Sequence, residues 1–239
     1  MRILITNDDG INAEGIRVLV DFASTIGEVT VCAPKEQQSA KAHAINIYTP
    51  FEVKKVEYKG AVDAYAVDST PADCVRFGTL GLLRDYDLVF SGVNRGLNMG
   101  EDIAYSGTAG AIFEASYRHI KGIAFSAEIN SFDSARVWVK KAYEYIVANN
   151  MLEHADLLNV NIPDNPKGIV VTKQGGAYYT DRFVEIEKDI WQQTGYCIHD
   201  NRHDLTIDSD ATIDGYVTIT PLTHAKTDYK AYELIHKDI

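Results

Sequence analysis

MRILITNDDG, residues 1–10, is the stretch on which the reading of the whole chain turns. Ile3, Leu4 and Ile5 form an apolar run without polar alternation, the pattern of a strand covered on both faces. The run passes directly into Asn7-Asp8-Asp9-Gly10. Adjacent carboxylates repel, and burial penalises each of them. Either the pair lies in an exposed Asx turn, or a bound cation offsets the cost. Hard cations such as Mg²⁺ prefer oxygen ligands, commonly carboxylates completed by substrate and water.

Outward from this strand, the first half of the chain alternates. Strands are predicted at 2–6, 29–34, 62–67, 86–92 and 122–126. Between them, Asn12 is placed to cap a helix over about 13–25. A second helix starts within Ser69-Thr70-Pro71-Ala72-Asp73, with Pro71 suited to the first helical position and Asp73 to the positive helix start. A third opens at Ser106–Ala109 and runs to about His119. Repeated strand–helix–strand units with apolar strands predict a mostly parallel sheet with helices on both faces. Ligands bind such sheets at the carboxyl ends of the strands. The polar residues after strands one, two and four therefore converge, although they are far apart in sequence.

Later segments are less regular. A helix is predicted over 133–149 and strands over 157–163, 169–172 and 215–222. FVEIEKDIW (183–191) alternates partially and reads as a hairpin arm. No repeat or linker divides the chain, so one domain is expected over 1–239. Its core spans about 1–130, and a β-rich arm region covers about 165–239.

Composition narrows the function. Among 239 residues the net charge is −11 and the pI is about 5.0, with no basic block or basic helix. Coating of nucleic acid or an anionic membrane is not expected. A phosphorylated small molecule remains open, because a metal ion inverts the local field. Cys32, Cys74 and Cys197 form neither a disulfide framework nor a CxxC zinc pattern. No apolar run approaches membrane-spanning length, so a cytoplasmic protein is expected.

Several polar residues are candidates for chemistry. Ser39, after the second strand, could offer a hydroxyl to a metal or a phosphate. His43 could contact a substrate or move a proton. SGVNRGLNMGEDIAYSGTAGA (91–111) combines glycines that let backbone approach a ligand with Asn94, whose side-chain carbonyl suits a hard cation. Ser106-Gly107-Thr108 then enters a helix start, which attracts anions such as phosphate. His199 and His203 have the spacing of a zinc pair, but Asp200 and Asn201 between them read as loop. No G-x-S-x-G elbow, P-loop or Rossmann G-x-G-x-x-G follows the first strand.

RILITNDDG, STPADCV (69–75), DLVFSGVNRGLNMGEDIAYSGTAGA (87–111), LLNVNIPD (157–164) and GYVTITPL (215–222) together resemble the SurE-type nucleotidases, also called survival protein E or stationary-phase survival acid phosphatases. The resemblance implies an α/β fold, a Rossmann-like three-layer sandwich with a mostly parallel sheet and a β-rich C-terminal extension used for oligomerisation. It implies a divalent-metal-dependent phosphomonoesterase acting on nucleoside 5′- and 3′-monophosphates, with some members trimming short polyphosphate. One Mg²⁺ or Mn²⁺ falls on Asp8, Asp9, Ser39 and Asn94, and the phosphate contacts on Asn94, Ser106, Gly107 and Thr108. Asp8 and Asp9 are also the catalytic candidates. The partner is a small nucleotide rather than a nucleic-acid polymer or a membrane, and a homodimer or homotetramer is expected. This chain departs from the pattern at Gln38 and Ala40, where many members carry Arg or Gly, at Ser69 in place of Gly, and at Ile207 in place of Thr.

Two rivals share an acidic start. Haloacid-dehalogenase phosphatases need Asp-x-Asp, and here the aspartates are adjacent. A Mg-binding receiver-type signalling module is the alternative. It needs an acceptor Asp near its third strand, and residues 50–60 contain none.

Overall fold

A computed structural model describes residues 1–237; the final two residues of the arm region expected over 165–239 lie outside it. Eleven strands are β1 (Arg2–Thr6), β2 (Glu28–Pro34), β3 (Val53–Val56), β4 (Asp63–Val67), β5 (Leu88–Arg95), β6 (Lys121–Ala127), β7 (Leu157–Ile162), β8 (Ile169–Val171), β9 (Tyr179–Glu187), β10 (Ile190–Cys197) and β11 (Val217–Leu222). Nine of them form one sheet in the order β3-β4-β2-β1-β5-β6-β7-β11-β8. β4, β2, β1, β5, β6 and β7 run parallel, whereas β3 pairs antiparallel with β4, and β11 antiparallel with β7.

The unalternating run at 3–5 has a direct explanation. Ile3 and Ile5 enter the core on one face of the sheet, and Leu4 enters the core on the other. The first face is covered by α1 (Glu14–Ala23) and α4 (Asp133–Ala148), through Ile16, Leu19 and Val20 and through Val139, Ala142 and Ile146. The second is covered by α2 (Pro71–Arg76) and α3 (Gly107–Tyr117), through Cys74, Val75, Ala111 and Ala115. Small residues on α3 let it lie close to β5 and β6. Cys32 and Cys74 are buried free thiols, and Cys197 is exposed.

Some boundaries differ from the sequence-based expectation. Ala13, not Asn12, is the residue before α1, and it offers no side-chain cap. The tight turn closed by the Ala13 amide on the Gly10 carbonyl leaves Asn12 outside the helix. β5 continues past Gly92 to Arg95, with a register break between Ser91 and Asn94. α2 does not stop at Arg76 but widens into a π-helical turn over Phe77–Gly81. β3 has no apolar pattern, because its Lys54 and Lys55 face solvent at the sheet edge.

β9 and β10 form a separate two-stranded antiparallel hairpin. α5 (Met151–His154), α6 (Asp208–Ile213) and α7 (Tyr229–Lys237) complete the described chain, and α7 buries none of its residues. No described helix is long and apolar enough to cross a membrane.

Candidate active site

β1 and β5 are neighbours in register, with Thr6 opposite Ser91, so the segments leaving their carboxyl ends meet. Asn7 and Gly10 shape the acidic turn: the buried Asn7 Nδ2 donates to the Gly10 carbonyl at 2.8 Å. Gly10 has φ +101°, a conformation that side chains rarely adopt.

Asp8 and Asp9 then bind three loops together. The Asp8 carbonyl accepts the Gln38 amide at 2.7 Å, fixing the segment after β2. Asp8 Oδ1 accepts the Thr108 hydroxyl at 2.6 Å, fixing the first turn of α3. Asp9 Oδ2 accepts the Arg95 amide at 3.0 Å, fixing the end of β5. Burial, opposed by the Thr108 hydroxyl and reinforced by the Asp9 charge, pushes the Asp8 carboxyl up to about 6. Burial also raises Asp9, against the opposing effect of Arg95. The acidic pair is therefore held in place at an electrostatic cost, as the sequence required.

Asn94 Nδ2 donates to the Gly96 carbonyl at 2.8 Å, so the amide nitrogen is used and the side-chain oxygen accepts nothing among the described residues. Ser39 is exposed, and its hydroxyl accepts Gln37 Nε2 at 2.9 Å. Ser106 caps α3 by accepting the Ala109 amide at 3.1 Å. Gly107 passes so near Asp8 that a Cβ there would lie 3.0 Å from the Asp8 Cβ. Thr108 uses its hydroxyl on Asp8.

All four residues of the expected cation site present oxygen. Two of them are carboxylates with an oxygen not hydrogen-bonded within the described chain, and Asn94 is turned with its oxygen uncommitted. That donor set fits a hard divalent cation rather than zinc. Among the described residues no three His, Cys, Asp or Glu side chains cluster at metal-binding distance. Any ion here rests on the carboxylate pair plus neutral oxygens. His199 and His203 do not form a pair: the first lies 2.9 Å from Asp210, the second 2.8 Å from Asp214.

The loop carrying Ser39 is stitched down along its length. Ala42 donates its amide to the Tyr105 carbonyl at 3.1 Å. Ala44 accepts the Thr70 hydroxyl at 2.7 Å, and Asn46 donates to Asp73 at 2.8 Å. The Ala42 carbonyl lies so close to α3 that a Cβ on Gly110 would come within 2.0 Å of it. His43 Nε2 sits 2.9 Å from Glu114 Oε2, and Arg76 and Arg118 hold the other oxygen of that carboxylate at 3.1 and 3.3 Å. Burial would raise Glu114; the His43 hydrogen bond and the charges of Arg76, His43 and Arg118 reverse this and hold it below its ordinary value. Ser69, where the family pattern has Gly, donates to Asp73 at 2.6 Å and reinforces the start of α2.

Other supports were not singled out from sequence. Asn159 and Asn161, buried on β7, each donate to the Asn98 carbonyl at 2.8 Å, and Asn161 accepts the Asn98 amide at 2.8 Å. Asp208 is fully buried and accepts three backbone amides, those of Gly100 at 2.9 Å, Gly175 at 2.7 Å and Ser209 at 2.8 Å. These groups hold the Gly-rich segment after β5. The signal available was two asparagines in an otherwise apolar strand, NVNI, since buried amides need partners.

Comparison with known proteins agrees with this architecture. The family model described as Survival protein SurE matches residues 3–181. A Clostridium botulinum (strain Alaska E43 / Type E3) protein named 5′-nucleotidase SurE is 37% identical over 253 residues, covering 99% of each chain. Another from C. botulinum (strain Loch Maree / Type A3), with the same name, is 39% identical and covers 98% of this chain and 97% of its own. Among solved structures, the SurE protein from Aquifex aeolicus superposes with a TM-score of 0.82 at 32% identity, covering 98% of both chains. By sequence over its length and by fold, this chain belongs to the SurE family.

Proposed function

We propose that the chain, a 5′-nucleotidase by its family and its full-length relatives, is a divalent-cation-dependent phosphomonoesterase that releases phosphate from nucleoside 5′- and 3′-monophosphates. The observation that carries this reading is the 2.6 Å bond from Thr108 to Asp8. It sets an acidic pair directly against a helix start that favours anions, and a cation is the group that reconciles the two.

Asp8, Asp9, Ser39 and Asn94 would hold one Mg²⁺ or Mn²⁺, whose charge stabilises the phosphoryl oxygens and the departing ester oxygen. Ser106 and the backbone at Gly107 and Thr108 orient the remaining phosphate oxygens. A water attacks phosphorus opposite the ester oxygen; the new P–O bond forms as the ester P–O bond breaks, giving phosphate and nucleoside. Asp9 or Asp8 orients the attacking water or takes its proton, which passes on to the departing ester oxygen, while Thr108 keeps Asp8 in place. Short polyphosphate is a second substrate that the same phosphate contacts accept at a chain end. The protein works in the cytoplasm on small nucleotides, without nucleic-acid polymer or membrane, as a homodimer or homotetramer joined through the 179–197 arm.

The test is a phosphate-release screen over nucleoside monophosphates with Mg²⁺, Mn²⁺ or chelator. Metal-dependent release that chelator abolishes is expected, and no release from any nucleotide overturns the reading. Incubation with a small phosphodonor should leave no phosphate on the protein; stable phosphorylation would favour the receiver-type alternative.

A further inference from the structure

A second cavity lies at the root of the arm, and none of its lining residues is among the expected cation or phosphate contacts. It encloses about 500 Å³ between segment 174–177, the chain leaving β10, and α6. Small-molecule sites run from roughly 300 to 1,000 Å³. Its deep wall is polar and incompletely satisfied. Ser209 is 1% exposed, and its hydroxyl has no hydrogen-bond partner among the described residues. Asp210 is 4% exposed, and its Oδ2 accepts the amides of Arg202 at 3.1 Å and Asp204 at 3.0 Å, which fixes the carboxylate in one orientation. Its other oxygen, Oδ1, lies 2.9 Å from His199 Nε2, but the two are not aligned as a hydrogen bond, and Nε2 is likewise without a partner among the described residues. Tyr178 stacks on His199 at 5.3 Å and 23°, which holds that ring in place.

A buried carboxylate oxygen and a buried hydroxyl, both without donors, call for a ligand that donates to each. The lining sets the sign of that ligand: Asp200, Asp204 and Asp210 face one guanidinium, that of Arg202. Its size follows from the space. An inorganic ion is a poor fit, because among the described residues no three His, Cys, Asp or Glu side chains gather at metal-binding distance, and the cavity is far larger than one ion. Ile198 and Ile207 add apolar wall, and Asp200 and Asp204 are exposed.

We propose that this cavity binds a linear aliphatic polyamine. One ammonium donates to Asp210 Oδ1 and Ser209 Oγ, the methylenes lie along Ile198 and Ile207, and a second ammonium meets Asp200 or Asp204. Such charge-assisted hydrogen bonds are the strong ones. The site is independent of the nucleotidase reading, and so is its test.

Spermidine is titrated into the full chain by calorimetry at about 0.15 M salt, where diffuse surface attraction is largely screened. One saturable site per chain is expected. Asp210→Asn should weaken binding at least tenfold and Ser209→Ala at least threefold. Glu144→Gln, which removes an exposed charge on α4, should leave it unchanged. Butylamine, with a single ammonium, should bind at least tenfold more weakly than spermidine. Should Asp210→Asn fail to fold, the exposed pair Asp200→Asn and Asp204→Asn is scored instead, with a loss of at least fivefold. No saturable binding overturns the proposal. So does equal weakening by Glu144→Gln, which would mean attraction to surface charge alone. One-for-one displacement by Mg²⁺ at equal ionic strength would mark an inorganic cation site and overturn it as well.

Discussion

The acidic edge of the sheet and the β9–β10 arm treat the same kinds of residue in opposite ways. At the edge, hydrogen bonds join residues about a hundred positions apart, Thr108 to Asp8 and Gly100 to Asp208, and the side chains involved are almost wholly buried. In the arm, each strand pairs only with the other, while Phe183, Ile186 and Trp191 remain 66%, 57% and 58% exposed. An apolar side chain at the edge completes a core inside the chain. One in the arm has no core to join, and its burial requires a surface from outside. The edge is thus specified by the chain itself, and the arm by whatever it meets.

The largest expected effect lies at the edge. Asp8→Asn should lower nucleotidase activity on the order of 10³-fold, with the fold intact by circular dichroism. Near-normal turnover would break the assignment of Asp8. Gly107→Ala comes next: its Cβ would press on Asp8 at 3.0 Å, so the helix start must shift. Activity should fall roughly 10²-fold, the cost of a displacement of about 1 Å in a reacting site. Both steady-state rates are read against chelator blanks.

The arm is tested by the double change Phe183→Ser and Trp191→Ser. Light scattering should show the assembled mass falling to that of a single chain, with thermal stability of the chain little changed. An unaltered mass would mean that the arm is a free surface and would remove the contrast.

Glu114→Gln probes the support beneath the edge and should cost roughly 2 kcal/mol, as expected for hydrogen bonds to a charged group. Its folded carboxyl is held below the ordinary value of 4.5. The stability it contributes is therefore complete above that pH and is lost as pH falls through the lowered value. Melting temperature should decline less steeply below pH 4.5 in the variant; an identical slope would exclude Glu114 as the titrating group. The smallest effect belongs to Ala40, which is held at φ +57°. Ala40→Gly should gain about 1 kcal/mol by relieving left-handed strain, raising the melting temperature by about 2–4 °C.

The parallel strands and the acidic edge were readable because each leaves a local trace. Ile3-Leu4-Ile5 shows two buried faces, Pro71 and Ser106 mark helix starts, and Asp8-Asp9 is an anomaly at the end of a buried strand. β3 left none, since an edge strand with Lys54 and Lys55 has no buried face to declare. The supports at Glu114 and Asp208 were invisible for a different reason. Their partners are mostly amides and cations distant in sequence, and residue type alone does not reveal who will be near. Asn12 misled because a good capping residue works only in the right register, and the turn at Gly10 shifted it by one.

Asp208 has a further consequence for how this protein can be cut and rearranged. It lies in the last sixth of the chain, yet it closes the backbone of the segment that follows β5. The arm region is therefore not a detachable module. A fragment ending near residue 165 would keep every predicted cation ligand and still lose the anchor that sets Gly100. Insertions, fusions and permuted termini belong in the 188–189 turn of the hairpin, the stretch that hydrogen-bonds only to its own arm. Breaks placed between 98 and 105, or at 208, would register as lost catalysis although no reacting group had been touched.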